Sequence, residues 1–268
     1  MPLPVLIAAR NEAQWLRGTL TSLPRDGVEP IVIPNGCTDD TAAIAENFGA
    51  TVLNCPEEGK MQAIQTGIRH LGQRSVEPFV TLDADSQVMF PQHWLGTMLR
   101  ERSNVDVTRP AVVIGPTVYR GIGLRALVGT ARLFYLYHQQ RLEKDLGPYC
   151  GRNMLIDPHR ADLVAALLDL DKLWYGEDQA IKDIVVDHGG NSLKSASLCA
   201  AVRSDGSRLP SVWSCLIPGG FQRAHEEVVK SYLAEAPPGS RPYKPVMDRI
   251  FGPEEVADMV VTPLPANN

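Results

Sequence analysis

The first part of the chain alternates short apolar runs with segments in which apolar residues recur at helical spacing. The apolar runs predict four strands that are covered on both faces, at residues 5–9, 30–33, 50–53 and 78–82. The segments between them predict three helices: one capped by Asn11, one capped by Thr38 and stopped by Gly49, and one closed by Gly72. This alternation predicts an α/β protein with a doubly wound, mostly parallel sheet.

The rest of the chain is less regular. Apolar runs and helical spacing predict further elements, with strands at residues 112–118 and 196–202 and helices at residues 123–146, 158–168 and 177–186. Helices interrupted by Pro and Gly follow residue 218. Because no change of composition marks a linker, the sequence predicts one domain over residues 1–268, with a C-terminal extension at residues 236–268.

Composition narrows the class of protein. The chain has 268 residues, 44% hydrophobic and 21% charged, so it can bury a core without disulfides, and disordered or fibrous classes are excluded. No apolar run is long enough to span a membrane, and a net charge of −5 gives no overall positive surface for nucleic acid. Five cysteines without a CxxC pair, and no basic segment before the first apolar run, predict a cytoplasmic protein without a disulfide framework or signal peptide.

Polar and charged residues follow each of the first four predicted strands. In open α/β sheets, ligands bind at the carboxyl ends of the strands, because these ends meet at one edge. We therefore expect the ligand site where four segments come together, at residues 10–12, 35–40, 57–60 and 83–85.

Two carboxylates one residue apart follow the fourth predicted strand. In an extended chain, Asp83 and Asp85 point to the same side. Paired carboxylates at a strand end provide the hard oxygen ligands that Mg²⁺ or Mn²⁺ prefers, with phosphate oxygens completing the coordination. The alternative interpretation is a solvated Asp-x-Asp turn, but the position after a buried strand favours a metal site.

Five segments resemble, in order and spacing, the motifs of the family-2 glycosyltransferases. They cover the chain from about residue 4 to 185 and lie at residues 7–12, 34–41, 59–67, 83–85 and 176–179. The resemblance implies the Rossmann-like A-type glycosyltransferase (GT-A) fold: a mostly parallel central sheet, helices on both faces and a less regular acceptor side. It also implies a donor half at residues 1–110 and an acceptor half at residues 111–235.

The resemblance further implies roles for individual residues. The nucleoside of a sugar nucleotide would be held by two loops, through Ala8, Arg10, Glu12 and Asn35. Lys60 would contact the nucleotide or its phosphates, and Asp83 the ribose or the donor sugar. Asp85, together with Asp83, would bind Mn²⁺ or Mg²⁺, and Asp178 would be the general base for the acceptor.

The function implied is a metal-dependent, inverting hexosyl transfer from a UDP-sugar to an acceptor hydroxyl. A divalent ion would neutralise the charge that grows on the leaving nucleoside diphosphate, and a carboxylate would remove the hydroxyl proton. The sequence leaves the acceptor open among a small molecule, a glycan, a lipid-linked sugar and a modified nucleobase.

The sequence leaves two other functions as alternatives to this one. A sugar-phosphate nucleotidyltransferase usually needs a glycine-rich loop after the first strand, and residues 8–12 contain no glycine. A non-catalytic nucleotide-sugar-binding module is the second alternative, and the retention of Asp83, Asp85 and Asp178 argues against it.

One departure concerns the donor base. Pro34 and Asn35 stand where the family usually has two aspartates, so the base is less defined, with UDP as the first choice. Structural roles remain alternatives for several candidates: a turn at Asn35, a solvated helix start at Lys60, and helix N-termini for Glu12, Glu177 and Asp178.

Other residues carry weaker signals. Arg152 and Asn153 lie near a segment that contacts donor or acceptor in the family, and a structural hydrogen bond is an equal alternative. Arg223 and His225 are weak phosphate or metal candidates in a segment that reads as ordinary helix. Aromatic residues at 134–137 indicate core, a homodimer contact or stacking of the acceptor.

Overall fold

The structure, a computed structural model, describes residues 1–119, 151–170, 172–195, 197–204 and 220–252. The predicted helix at residues 123–146 and the aromatic stretch at 134–137 lie outside these residues. The side chains of Arg223 and His225 also lie outside the description, although their backbone belongs to a helix.

A seven-stranded sheet forms the centre of the molecule. Its strands are Leu3–Ala9 (β1), Val28–Pro34 (β2), Thr51–Val52 (β3), Phe79–Asp83 (β4), Ala111–Ile114 (β6), Asn153–Asp157 (β8) and Asn191–Lys194 (β10). They lie in the order β10-β6-β8-β4-β1-β2-β3. Within this sheet β8 alone runs opposite to its neighbours, and the other pairs are parallel. The apolar runs of the sequence therefore form a mostly parallel sheet, as predicted.

Helices cover both faces of this sheet. One core contains buried residues of α3, α5 and α6, such as Ile64, Leu163 and Ile181. The other contains residues of α1, α2 and α4, such as Leu16 and Trp94. The helix bounds are Ala13–Thr21 (α1), Thr41–Phe48 (α2), Lys60–Leu71 (α3), Pro91–Ser103 (α4), Ala161–Leu168 (α5) and Glu177–Asp187 (α6). The predicted α/β class with a doubly covered sheet is confirmed.

Smaller elements flank the central sheet. A three-stranded sheet contains Gln87–Val88 (β5), Val202–Ser204 (β11) and Thr117–Tyr119 (β7), and a pair joins Leu173–Tyr175 (β9) to Arg241–Pro242 (β12). The C-terminal helices are Gly220–Ala234 (α7) and Lys244–Ile250 (α8). They share a separate apolar cluster that includes Val229 and Met247. Part of the predicted C-terminal extension is thus attached to β9, which directly precedes Gly176.

Several predicted boundaries were wrong. Thr38 was predicted as the cap of the second helix, but the helix begins at Thr41 with Asp40 at the N-cap position; Gly49 ends it as predicted, with a φ of 84°. The predicted strand at 112–118 is split between β6 and β7. The predicted strand at 196–202 is instead a short 3₁₀ helix, Leu198–Ala200, followed by β11. In the described part of the chain, no helix is long and apolar enough to cross a membrane.

Candidate active site

The carboxyl edge of the central sheet brings the candidate residues together. Asp83, the last residue of β4, lies in register with Ala8 of β1. β8 runs antiparallel to β4, with Leu82 opposite Asn153, so β8 begins at the edge where β4 ends. This direction places Arg152, immediately before β8, beside the two aspartates, and the backbone N–H of Asp83 donates to the Arg152 carbonyl over 3.0 Å.

Lys60 links three elements at this edge. Its Nζ lies 2.7 Å from Oδ1 of Asp83 and 3.2 Å from Oε1 of Glu177. Burial alone would lower the pKa of Lys60, but the two carboxylates outweigh burial and raise that pKa above its usual value. Lys60 is therefore a permanent cation that joins the start of α3 to the end of β4 and the start of α6, and not a solvated helix-start residue.

Asp85 is paired with Arg152. Nη1 of Arg152 lies 2.9 Å from Oδ1 and 2.8 Å from Oδ2 of Asp85, and 3.5 Å from Oδ2 of Asp83. The hydroxyl of Ser204 donates to Oδ2 of Asp85 over 2.7 Å. Burial would raise the pKa of Asp85, but the guanidinium and these hydrogen bonds lower it, so the carboxylate is ionised at neutral pH.

The acidic pair at the start of α6 has two different environments. Burial raises the pKa of Glu177, aided by the Asp178 charge and opposed by Lys60. For Asp178 the effect of burial is outweighed by Lys182, Lys60 and backbone N–H groups, which lower its pKa. Its Oδ2 accepts a hydrogen bond of 2.9 Å from the Gly151 N–H. Asp178 is also more exposed, with 27% of its side chain accessible against 14% for Glu177.

Two close backbone approaches fix the position of this pair. A Cβ at residue 151 would lie 2.0 Å from Cβ of Asp178, so only glycine fits there. Gly176, with a φ of 82°, turns the chain into α6 and packs against Tyr243 and Val246. Residues Tyr243 and Val246 of the C-terminal part thus pack against the turn at Gly176 that places Asp178 at the start of α6.

Arg10 lies at a neighbouring part of the edge. Its guanidinium is 3.0 Å from Oε2 of Glu58 and lies 5.2 Å from the ring centroid of Trp174. Trp174 Nε1 donates to the Tyr232 carbonyl over 2.9 Å, which fixes the indole. Trp174 is 4% exposed and the Arg10 side chain 35%, so the guanidinium covers the ring and is itself the part that faces solvent. Glu58 belongs to one of the four segments that the sequence placed at the ligand site, at residues 57–60, whereas nothing in the sequence indicated Trp174.

Asn35 is 2% exposed, and the protein backbone uses its amide. Nδ2 donates to the Ala9 carbonyl over 3.1 Å, and Oδ1 accepts from the Gly59 N–H over 3.2 Å. Asn35 therefore joins the ends of β1 and β2 to the start of α3. Asn35 lies at the carboxyl edge of the sheet, as predicted, but its acceptor oxygen Oδ1 already accepts a hydrogen bond from the protein backbone, at Gly59.

The loops after β1 and β2 are tied to each other. Asn11 accepts from the Thr38 N–H over 2.8 Å, and the Glu12 N–H donates to Oγ1 of Thr41 over 2.8 Å. Asp39 accepts from the Ala13 N–H over 3.0 Å and from the Thr41 N–H over 3.1 Å. Asp39 therefore holds the starts of α1 and α2 together, a role that the sequence did not indicate.

Asn153 has a structural role. It is fully buried, accepts from Nε1 of Trp94 over 3.2 Å and donates to the Ala200 carbonyl over 2.7 Å. These contacts join β8 to α4 and to the 3₁₀ helix, so the structural alternative describes this residue. Arg152, its neighbour, instead contacts Asp85 and Asp83.

The donor chemistry of Asp83 and Asp85 fits a divalent cation. Both supply hard oxygen ligands at the end of one strand, and Mg²⁺ in particular often binds through one or two carboxylates together with phosphate oxygens. Among the described residues, no group of three or more His, Cys, Asp or Glu side chains is placed to hold a metal ion. A cation at these carboxylates would have to share them with Lys60 and Arg152.

Known proteins resemble the chain to differing degrees. The 4,4'-diaponeurosporenoate glycosyltransferase of Staphylococcus aureus (strain MRSA252) is 34% identical over 76 residues, which are 25% of this chain and only 20% of that protein. Glucosyl-3-phosphoglycerate synthase from Mycobacterium tuberculosis, solved with Mn²⁺, UDP and glucosyl-3-phosphoglycerate, superposes with a TM-score of 0.48 at 17% identity, covering 91% of this chain and 82% of that chain. Another structure of the same synthase gives a TM-score of 0.49 at 18% identity, with the same coverage.

A family model covers more of the chain than the Staphylococcus aureus relative does. The model described as Glycosyl transferase family 2 matches residues 5–159. The match extends from β1 through β4 to β8, and so includes Lys60, Asp83, Asp85 and Arg152. More than half of the sequence lies within it, and the chain therefore belongs to glycosyl transferase family 2.

Proposed function

We propose that the chain transfers a hexose from a nucleotide-sugar donor to an acceptor hydroxyl, with inversion and with Mn²⁺ or Mg²⁺ as cofactor, and that UDP is the donor nucleotide. One observation carries the proposal. Six charged side chains from β4, its following turn, and the starts of α3, β8 and α6 meet at the carboxyl edge of the sheet, with Asp178 linked to the others through the charge of Lys60: Lys60, Asp83, Asp85, Arg152, Glu177 and Asp178. Family membership supports the reaction class.

In this proposal the donor diphosphate binds next to Lys60 and Arg152, the two cations among these six side chains. A divalent ion held by Asp85 and Asp83 would act as a Lewis acid on the phosphate oxygens. Lys60 remains charged at neutral pH and lies within 2.7 Å of Asp83, so it adds positive charge where the leaving group develops negative charge. The segment from Ala8 through Arg10 to Glu12 lies alongside and would hold the nucleoside.

Asp178 is suited to accept the proton of the acceptor. The pKa of Asp178 is lowered, so its carboxylate is ionised at neutral pH. Glu177 is less suited, because its carboxylate lies closer to its lysine partner, 3.2 Å from Lys60 against 3.8 Å between Lys182 and Asp178, and is less exposed. A hydroxyl that loses its proton to Asp178 as it attacks, on the side opposite the leaving group, produces inversion.

Turnover of UDP-sugars tests this proposal. We expect UDP release in the presence of Mn²⁺, and a loss of about 10²-fold or more in Asp178→Asn, with UDP affinity nearly unchanged. The matched control is Asp187→Asn, which changes the same type of side chain at the exposed end of α6 and should keep full turnover. Full turnover in Asp178→Asn would remove this residue as the base.

The same assays separate the alternatives. Pyrophosphate release from a nucleoside triphosphate and a sugar phosphate would identify a nucleotidyltransferase. UDP binding without turnover of a panel of UDP-sugars and acceptors would identify a binding module.

A further inference from the structure

Arg152 contacts the carboxylates that the proposed metal would use. Its Nη1 lies 2.8 Å from Oδ2 and 2.9 Å from Oδ1 of Asp85, and 3.5 Å from Oδ2 of Asp83. One guanidinium nitrogen thus contacts both aspartates on the same side. A divalent cation that bridged the pair would need the same oxygens.

The surrounding contacts favour this arrangement. Ser204 donates to Oδ2 of Asp85 over 2.7 Å, which holds the carboxylate towards Arg152. Lys60 neutralises Asp83 from the start of α3. Half-buried carboxylates are costly without a counter-charge, because desolvation weakens their ionised form. Two resident cations therefore satisfy the two aspartates.

We propose that Arg152 is an internal competitor of the divalent cation at Asp85, and that the metal binds well only when an anionic diphosphate takes up the displaced guanidinium. An arginine can pair with Asp85 when the metal is absent and with the diphosphate when the metal is bound, because its planar donors match carboxylate and phosphate oxygens alike. The inference rests on the proposed function, since that function supplies the metal and the diphosphate. Its consequence is that metal and nucleoside diphosphate bind synergistically, whereas the metal alone binds weakly.

The test measures Mn²⁺ affinity of the full chain by isothermal titration calorimetry, first without nucleotide. We expect Arg152→Gln to bind Mn²⁺ about tenfold or more tightly than the wild type, because a positive charge next to the ligand oxygens is removed. Arg152→Lys should show a smaller gain, since an ammonium keeps the charge but not the planar donor geometry. Arg160→Gln is the matched control: it removes a guanidinium from an exposed pair with Asp162 and should leave Mn²⁺ affinity unchanged.

A second titration adds UDP. In the wild type UDP should tighten Mn²⁺ binding strongly, and in Arg152→Gln the gain from UDP should be much smaller. Equal or weaker Mn²⁺ binding in Arg152→Gln, with a melting curve that shows a folded protein, would overturn the inference. If Arg152→Gln does not fold, unchanged Mn²⁺ affinity in Arg152→Lys overturns it.

The two proposals fail in different ways. If the wild type binds UDP with Mn²⁺ but Arg152→Gln gains no Mn²⁺ affinity, the competition is refuted and the proposed function stands. If the wild type binds no UDP with Mn²⁺ while Arg152→Gln gains Mn²⁺ affinity, the competition at Asp85 stands, but the synergy with a diphosphate is refuted and the proposed function is contradicted. If neither protein binds Mn²⁺, with or without UDP, both are refuted.

Discussion

The Nζ atom of Lys60 lies 2.7 Å from Oδ1 of Asp83, which joins the first residue of α3 to the last residue of β4. The same nitrogen lies 3.2 Å from Oε1 of Glu177, at the start of α6. Three elements that are far apart in the sequence are therefore held by one cation. Lys60 thus connects Asp83, on the side of the proposed donor, to Glu177, which is next to the proposed base Asp178.

Replacement of Lys60 should affect both stability and donor binding. We expect Lys60→Met to lower the free energy of unfolding by about 2 kcal/mol, because two half-buried carboxylates lose a charged hydrogen-bond partner. UDP affinity should fall by about tenfold or more, because a cation next to the proposed diphosphate site is lost. Urea unfolding and calorimetric titration with UDP in the presence of Mn²⁺ measure these effects.

The pH dependence of the Lys60 contribution has a definite sign. Its pKa is raised above the usual 10.5, so the stabilisation is fully present below pH 10.5 and is lost only as the pH rises through the higher value. Lys244→Met is the matched control, since Lys244 pairs with Asp248 at the surface and should contribute well under about 1 kcal/mol. Equal effects of the two substitutions at neutral pH would contradict the assigned role of Lys60.

Asp39 should stabilise the fold through the backbone N–H groups of Ala13 and Thr41. We expect Asp39→Ala to cost about 1 kcal/mol, the usual effect of losing a helix cap. Hydrogen bonds to Thr41 and Ala13 outweigh burial and lower the pKa of Asp39 below its usual 3.8. The stabilisation is therefore present above pH 3.8 and is lost as the pH falls through the lower folded value.

Urea unfolding at pH 7 and at pH 2.5 or so measures this difference. The matched control is Asp40→Ala, because Asp40 precedes the same helix without a side-chain capping hydrogen bond. We expect Asp40→Ala to have little effect at either pH. A loss in Asp40→Ala as large as that in Asp39→Ala would show that the cap is assigned to the wrong residue.

Gly151 should be essential for the position of Asp178. A Cβ at residue 151 would lie 2.0 Å from Cβ of Asp178, so Gly151→Ala must move the start of α6. We expect turnover to fall by about 10²-fold, since catalysis is sensitive to displacements of about 1 Å. Gly96→Ala is the control, because a Cβ in that interior turn of α4 meets no atom within 4 Å. That substitution should leave turnover unchanged and stabilise the helix slightly.

Much of the sheet could be predicted from the sequence, because its strands are apolar runs bounded by polar segments. The prediction that Lys60 and Asp83 lie at the same edge of the sheet followed from the expectation that β1, β2 and β4 are parallel. Arg152 could not be assigned in this way, because its position depends on β8 running antiparallel to β4. A short apolar run such as β8 indicates a buried strand but not the direction in which the strand runs.

Other elements escaped prediction for local reasons. α4 was not predicted, because its buried apolar side chains are few, mainly Trp94 and Met98, and its other core-facing residues include the buried Arg102. A cap at Thr38 would put Asp39 in the first turn of α2, whereas Asp39 lies before the helix and accepts hydrogen bonds from the first residues of both α1 and α2. In both cases tertiary contacts outweigh the local pattern.

Thermal unfolding with UDP, with and without Mn²⁺, tests most directly whether the cluster at the end of β4 binds a metal–diphosphate group. The wild type should gain melting temperature from UDP only when Mn²⁺ is present, Asp85→Asn should lose that gain, and Asp162→Asn, which alters an exposed carboxylate, should keep it. Stabilisation by UDP that needs no metal, or that survives in Asp85→Asn, would contradict the account.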